Sequence, residues 1–264
     1  MTAFDAAWLD LRAPADKAAR ARSVLDACRA CFRDRESLSI CDLGAGTGAA
    51  VAAFGPFLPP DQRWLLVDSA PDALAEARRR NAGSRAAVET RVVDLARSPA
   101  IWPDGCGLVT ATALFDLAAP AWIEALAAAL ADARLPLLAT LTYDGAQTLA
   151  PPHSLDADLI AAFNRHQKHD KGLGGPAAGP DATAVLVGAL ERRGYHVIQA
   201  PSPWRLERPS DGALMRALLT GWADAIAAAG YAEPARTTAW LDARLRDTSA
   251  MTVGHVDIFA TPPE

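Results

Sequence analysis

Ser39-Ile40-Cys41-Asp42-Leu43-Gly44-Ala45-Gly46-Thr47-Gly48-Ala49-Ala50-Val51 is the stretch that decides the fold. An apolar, strand-like run reaches an acid, enters a glycine-rich turn and opens into an alanine-rich helix. Gly44, Gly46 and Gly48 carry no Cβ, so the backbone can approach a ligand closely. The helix that follows aims its free N–H groups and positive dipole end at the same spot. Such a turn suits a mononucleotide-like ligand. Gly44, Gly46 and Ala49 fit the dinucleotide pattern G-x-G-x-x-G/A as well as G-x-G-x-G, so the glycines leave a nicotinamide dinucleotide open.

Working outward, strands and helices alternate. The runs predict strands at about 38–43, 63–68, 88–93, 108–114 and 137–142, with helices at about 48–54, 71–81 and 120–132. Near-continuous apolar or β-branched strands in alternation with helices indicate a doubly wound, mostly parallel α/β sheet covered on both faces. Residues 4–35 read as helical: a short amphipathic piece at 5–12, then a second helix begun by Pro14 and running to about Arg33. Residues 143–180 break the rhythm with a polar, glycine-rich segment of the kind that forms binding loops. A helix at 181–193 and a strand at 195–200 resume it. Residues 201–250 make a second departure carrying Trp204, Trp222 and Trp240, before a last strand at 252–260.

Asp42 precedes Gly44 by two residues, and Asp68 closes the second strand 20 residues after Gly48. A carboxylate at that strand end can accept from both hydroxyls of a ribose. The order Asp-Leu-Gly-Ala-Gly-Thr-Gly resembles motif I of the class I S-adenosylmethionine-dependent methyltransferases. The resemblance covers about residues 36–142, and more loosely 181–200 and 252–260. It implies a seven-stranded Rossmann-like domain over 36–264, interrupted by the two insertions as a cap, with the helices of 1–35 covering the cofactor site. It further implies that S-adenosyl-L-methionine is held by Asp42, Gly44, Ala45 and Gly46, by Asp68 and Ser69 at the ribose, by Asp94 and Leu95 at the adenine, and by Ala113 near the methyl group. The Asn/Asp-Pro-Pro-aromatic tetrapeptide of the aminomethylating members is absent from Ala113-Leu114-Phe115-Asp116, which argues against a nucleobase or glutamine-amide target.

Candidate catalytic residues are His166, Tyr143 and Asp116. A histidine near neutral pKa is a natural base for a hydroxyl, amine or thiol. Asn164, His169, Asp170, Lys171 and Trp204 are candidate substrate contacts. His166-x-x-His169 also suits a metal, but no third ligand stands at convincing spacing, and no metal is expected. Arg12 and Arg22 read as solvated surface charge, with a methionine carboxylate as the alternative. His196 and His255 read as packed or locally bonded strand residues.

Composition narrows the partners. With 264 residues, 51% hydrophobic and 22% charged, the chain suits one large domain with a cap. A net charge of −5 without a basic block disfavours nucleic acid. Arg78-Arg79-Arg80 and Arg192-Arg193 sit at expected helix C-termini, where they offset the dipole. Met1–Asp5 lacks a leader pattern, and the apolar run at 118–131 is broken by Pro120 and Glu124, so neither secretion nor a membrane is expected. A cytoplasmic location follows, in which Cys28, Cys31, Cys41 and Cys106 stay reduced. The acceptor is expected to be a small molecule, methylated on O, N or S, and the oligomeric state stays open. Two rivals remain: an NAD(P)-dependent oxidoreductase, and an S-adenosylmethionine-binding protein without catalysis.

Overall fold

The computed structural model describes residues 6–263. Phe4 and Asp5, where the first helix was expected to start, lie outside the described residues, as does the Met1–Asp5 stretch read for a leader. Five parallel strands form the heart of the molecule: β1 (Ser37–Leu43), β2 (Asp61–Asp68), β3 (Ala87–Val92), β4 (Leu108–Thr112) and the first part of β5 (Leu137–Ala150). The sheet order is β3-β2-β1-β4-β5-β8-β6, with β6 (His196–Pro201) and β7 (Trp204–Glu207) both antiparallel to β8 (Ala250–Thr261). The expected seven strands are therefore joined by an eighth, β7. Its alternating Trp204-Arg205-Leu206-Glu207 buries every second residue, a half-buried strand that the sequence carried in plain view.

Alternation along the central strands serves two cores. Cys41, Leu43, Leu65, Val67, Val109 and Ala111 face the layer of α5 (Pro120–Ala133) and α7 (Ala182–Glu191). Ile40, Trp64, Leu66 and Leu108 face α2 (Arg22–Cys31), α3 (Ala49–Phe54) and α4 (Pro71–Asn81). Both faces are covered, which explains why these strands read as continuous apolar runs.

Three boundaries differ from expectation for identifiable reasons. α1 runs from Ala6 through Pro14 to Ala19 instead of restarting at the proline. The break falls at Ala21, in extended backbone, where its N–H is captured by Asp257 Oδ2 at 2.8 Å. Strand five does not stop at Thr142. It continues to Ala150 because β8 starts early and pairs Ala250–Val253 with Gln147–Ala150. The register shifts between Ala139 and Thr142, where Leu141 adopts φ 56° and donates its N–H to Asp257 Oδ1 at 2.8 Å. A bulge of this kind bends a strand and re-aims the side chains beyond it.

Past that bulge, β5 and β8 leave the carboxyl edge of the parallel sheet and carry a third core. Trp204, Trp222, Trp240, Met215 and Leu219 are buried there with α8 (Gly212–Ala229), α9 (Pro234–Asp247) and α6 (Asp156–Gln167). Trp8 and Leu11 pack against this core from α1. Asp257, fully buried, also accepts from Ser202 Oγ at 2.6 Å. One carboxylate thus joins the α1–α2 break, the β5 bulge and the β6–β7 turn.

Candidate functional site

The sheet order reverses between β1 and β4, and ligands of open α/β sheets collect at the carboxyl ends beside that switch point. The glycine bend sits there. Gly44, Gly46 and Gly48 have φ of 66°, 51° and 77°, a region that L side chains seldom adopt. A Cβ on Gly44 would lie 2.9 Å from Leu114 Cδ1, and one on Gly46 would lie 3.3 Å from Leu9 Cδ1. Both glycines therefore allow approach from the β4 end and from α1. Gly44, Ala45 and Gly46 remain half-exposed.

Asp68 fixes the bend. Its Oδ2 accepts the Gly46 N–H at 2.8 Å, and its Oδ1 accepts the Ala70 N–H at 2.9 Å. Ala45 N–H is taken by the Val67 carbonyl at 2.9 Å. The carboxylate is half-buried and Ser69 beside it is exposed, so acceptor capacity remains toward a ligand. Asp42 is 2% exposed, and its Oδ1 accepts from Thr110 Oγ1 at 2.6 Å. Burial pushes its carboxyl up to about 7; the Thr110 bond opposes the shift and the Asp68 charge adds to it. Asp42 and Asp68 are thus neighbours. Asp94 stands apart and exposed, accepting the Ala96 N–H at 3.1 Å and pairing with Arg97 at 3.3 Å. Leu95 is buried, its carbonyl accepting Trp122 Nε1 at 2.7 Å, and no acceptor among the described residues takes its N–H. Ala113 leaves β4 with φ 52°.

The residues expected on the acceptor side fall into three groups. Asp116 lies in the short turn after β4, within charge reach of Arg12 on α1 and of Lys171. Burial pushes its carboxyl up to about 6; backbone N–H groups and both cations oppose the shift. Its Oδ1 is sealed from solvent and has no hydrogen-bond partner among the described residues. Tyr143 OH donates to Asn164 Oδ1 at 2.6 Å and accepts from Gln147 Nε2; burial raises its pKa. Asn164 Nδ2 in turn donates to the Gly145 carbonyl at 3.0 Å, so these three side chains brace α6 against β5.

His166 and His169 sit with ring centres 5.1 Å apart. His166 Nδ1 is 3.5 Å from Lys171 Nζ, and burial followed by the Lys171 charge lowers its pKa. His169 instead bonds Tyr231 OH at 2.6 Å on the outer side, and Asp170 Oδ1 accepts the Gly172 N–H at 2.7 Å within its own turn. Among the described residues no three metal-ligating side chains gather, here or elsewhere.

Trp204 is 4% exposed, with Nε1 donating to Asp16 Oδ1 at 3.0 Å and the His255 ring 4.7 Å away. Arg12 differs from the expected solvated charge. Its side chain is 15% exposed, with Nε 3.1 Å from Asp16 Oδ2 and the guanidinium 5.9 Å from the Trp204 ring. Arg22 is exposed, and so is His196, against the packed role read for it. His255 is buried at 6%, and burial pushes its pKa down to about 3. Arg12, Asp16 and Asp257 were the residues hardest to see: each acts across more than a hundred positions of sequence or through a helix that carries no motif.

Fold and bend together define a class: the chain has the Rossmann-like class I methyltransferase fold. Among solved structures it resembles a candidate methyltransferase of Bacillus halodurans, with 15% identity, 92% of this chain and 100% of the other covered, and a TM-score of 0.55. It also resembles the YcgJ protein of Bacillus subtilis, with 12% identity over 92% of this chain and 100% of the other, at a TM-score of 0.51. No family model matches the sequence, and no curated protein matches it.

The residues present fit S-adenosylmethionine. Gly44, Ala45 and Gly46 present half-exposed backbone at the carboxyl edge, the Asp68 carboxylate keeps lone pairs for hydroxyls, and no acceptor among the described residues takes the Leu95 N–H next to Asp94.

Proposed function

We propose that the chain is an S-adenosylmethionine-dependent methyltransferase that methylates O, N or S of a small-molecule acceptor. The observation that carries the reading is Asp68 bonded to Gly46 N–H at the sheet's switch point. This couples the strand-end acid to the glycine bend in the geometry a bound nucleoside needs. In this reading Asp68 and Ser69 hold the ribose, Gly44–Gly46 and Asp42 lie under the methionine part, Asp94 and Leu95 meet the adenine, and Ala113 flanks the methyl position. The cofactor, when bound, supplies a methyl carbon already activated by sulfonium.

The protein's share is then placement and proton handling. Holding the acceptor atom about 3–3.5 Å from that carbon yields much of the acceleration. Asp116, whose carboxyl burial pushes up to about 6, is the group best suited to take a proton from a hydroxyl or amine once the acceptor reaches it. His166 lies one contact behind it through Lys171. Tyr143 keeps its proton and positions α6. A small-molecule acceptor is supported by the acidic net charge and by the cap core standing over the carboxyl edge. Among the described residues no helix is long and apolar enough to cross a membrane. The four cysteines are unpaired, in keeping with a cytoplasmic location.

Calorimetry against S-adenosylmethionine, S-adenosylhomocysteine and NAD(P), followed by transfer of labelled methyl into a metabolite extract, tests the proposal. Adenosyl ligands binding and label appearing in a small product is the expected result. Binding of NAD(P) alone would overturn it, and adenosyl binding without transfer would reduce the protein to a silent binder.

A further inference from the structure

Two segments far apart in sequence are built onto one side chain, Trp122 in the first turn of α5. The first is the turn after β3. Val93 N–H donates to the Asp68 main-chain carbonyl at 2.9 Å, which sets that turn beside the strand-end acid of β2. The Leu95–Ala96 peptide is held at both ends: its carbonyl accepts Trp122 Nε1 at 2.7 Å, and its N–H donates to Asp94 Oδ1 at 3.1 Å. The Asp94 carbonyl accepts the Arg97 N–H at 3.1 Å, so of the Asp94–Leu95 peptide only the N–H lacks a partner among the described residues. The second segment is the loop after α6. Leu173 pairs with Ala118, its carbonyl accepts the Ala119 N–H at 2.9 Å, and the Ala118 carbonyl accepts the Ala178 N–H at 2.7 Å. Gly174, with φ 87°, lies so close to the indole that a Cβ would stand 3.0 Å from Trp122 Cβ, and the three nearest atoms all belong to Trp122. Leu95, Trp122 and Leu173 are buried in one core.

Trp122 is 5% exposed and its one donor is spent on Leu95, so it acts through the residues it holds. A buried carbonyl that loses its donor either shifts to find another or stays unpaired, and the turn loses its set geometry in both cases. We infer that Trp122 is a positioning residue that fixes Leu95 N–H for the base of the bound nucleoside and couples that placement to the loop carrying Lys171. The base rests on the methyltransferase reading; the bracing of Leu95 by Trp122 does not. Adenine offers a ring-nitrogen acceptor to a backbone N–H and an amine donor to a carboxylate such as Asp94. Hypoxanthine reverses both, with a ring N–H and a carbonyl oxygen. A fixed turn therefore rejects hypoxanthine, and a loosened one tolerates it.

The full chain is titrated by calorimetry with S-adenosylhomocysteine and with S-inosylhomocysteine, which differ only at that base edge. Wild type is expected to prefer the adenosyl ligand by about tenfold or more, since the inosyl base turns two hydrogen bonds into mispairings. Trp122→Phe keeps a ring in the core and removes the N–H; the preference is expected to shrink about threefold or more, with circular dichroism confirming the fold. Gly174→Ala presses on the indole from the loop side and is expected to lower the same ratio by about twofold or more. A merely structural weakening lowers affinity for both ligands and leaves their ratio alone. A wild type that binds both ligands equally, or a ratio unchanged from wild type in Trp122→Phe or in Gly174→Ala, overturns the inference, while adenosyl binding in the same titrations keeps the methyltransferase reading. Failure of wild type to bind either ligand removes both.

Discussion

Replacing Asp68 with alanine removes one side chain from two tasks, and the structure gives a magnitude for each. The carboxylate accepts from Gly46 N–H at 2.8 Å and from Ala70 N–H at 2.9 Å. A hydrogen bond to a charged group contributes about 1.5–3 kcal/mol. The site is half-buried, so the lower end applies and the two bonds together stabilise the fold by about 3 kcal/mol. For a chain of this length one kcal/mol moves Tm by about 2 °C, so Asp68→Ala is expected to melt about 6 °C early. Cofactor binding loses a further term. Two ribose hydroxyls deprived of their acceptor cost about 1–3 kcal/mol, a drop of about 5- to 150-fold in affinity for S-adenosylhomocysteine. Asp68→Asn separates volume from chemistry: its single acceptor oxygen serves one N–H and turns an NH₂ toward the other, so it falls about as far as alanine. The assays are thermal unfolding by circular dichroism and calorimetry with S-adenosylhomocysteine. Both variants melting with wild type and binding the ligand within twofold of it would refute the reasoning.

Asp42 supplies a pH signature. Its folded pKa, near 7, lies above the ordinary 3.8. The native state therefore holds the proton more tightly than the unfolded chain, so stability falls as pH rises from about 4 to 7 and levels off above. Asp42→Asn removes a slope worth on the order of 4 kcal/mol while still accepting from Thr110, so denaturation midpoints of variant and wild type should diverge across about pH 4–7; parallel curves would count against the assignment. Gly48→Ala meets two obstacles, a φ of 77° and a new Cβ 2.8 Å from Asn81 Nδ2 and 2.9 Å from Ala77 Cβ on α4. Left-handed strain and overlap together should cost about 3 kcal/mol in urea unfolding, and a loss below about 1 kcal/mol would mean that the bend relaxes freely.

The parallel half of the fold was legible because β1, β2, β4 and the first part of β5 lie between two helical layers and so spell themselves as near-continuous apolar runs, whereas the edge strand β3 carries Glu89 and Arg91 and is largely exposed. α4 at Pro71–Asn81 was read to the residue, since Pro71 opens it and three arginines close it. The cap was legible only as a departure. Gln147-Thr148-Leu149 looks like a loop until a partner strand arrives from a hundred positions later, and periodicity has no access to such a partner. In the site, Asp42 and Asp68 stood out because they flank a motif. Arg12 did not: one arginine in an amphipathic helix resembles any other until Trp204, Asp16 and Asp116 assemble around it.

The main sheet and the cap are woven from the same two threads, β5 and β8, which pair again beyond the Leu141 kink. An insertion or deletion of a single residue between that kink and Ala150 would turn the cap strand's buried side chains out to water and its exposed ones in. The loop after α6 and the first helix, whose lengths no ladder counts, are thus freer to change, while those two threads must keep their tally.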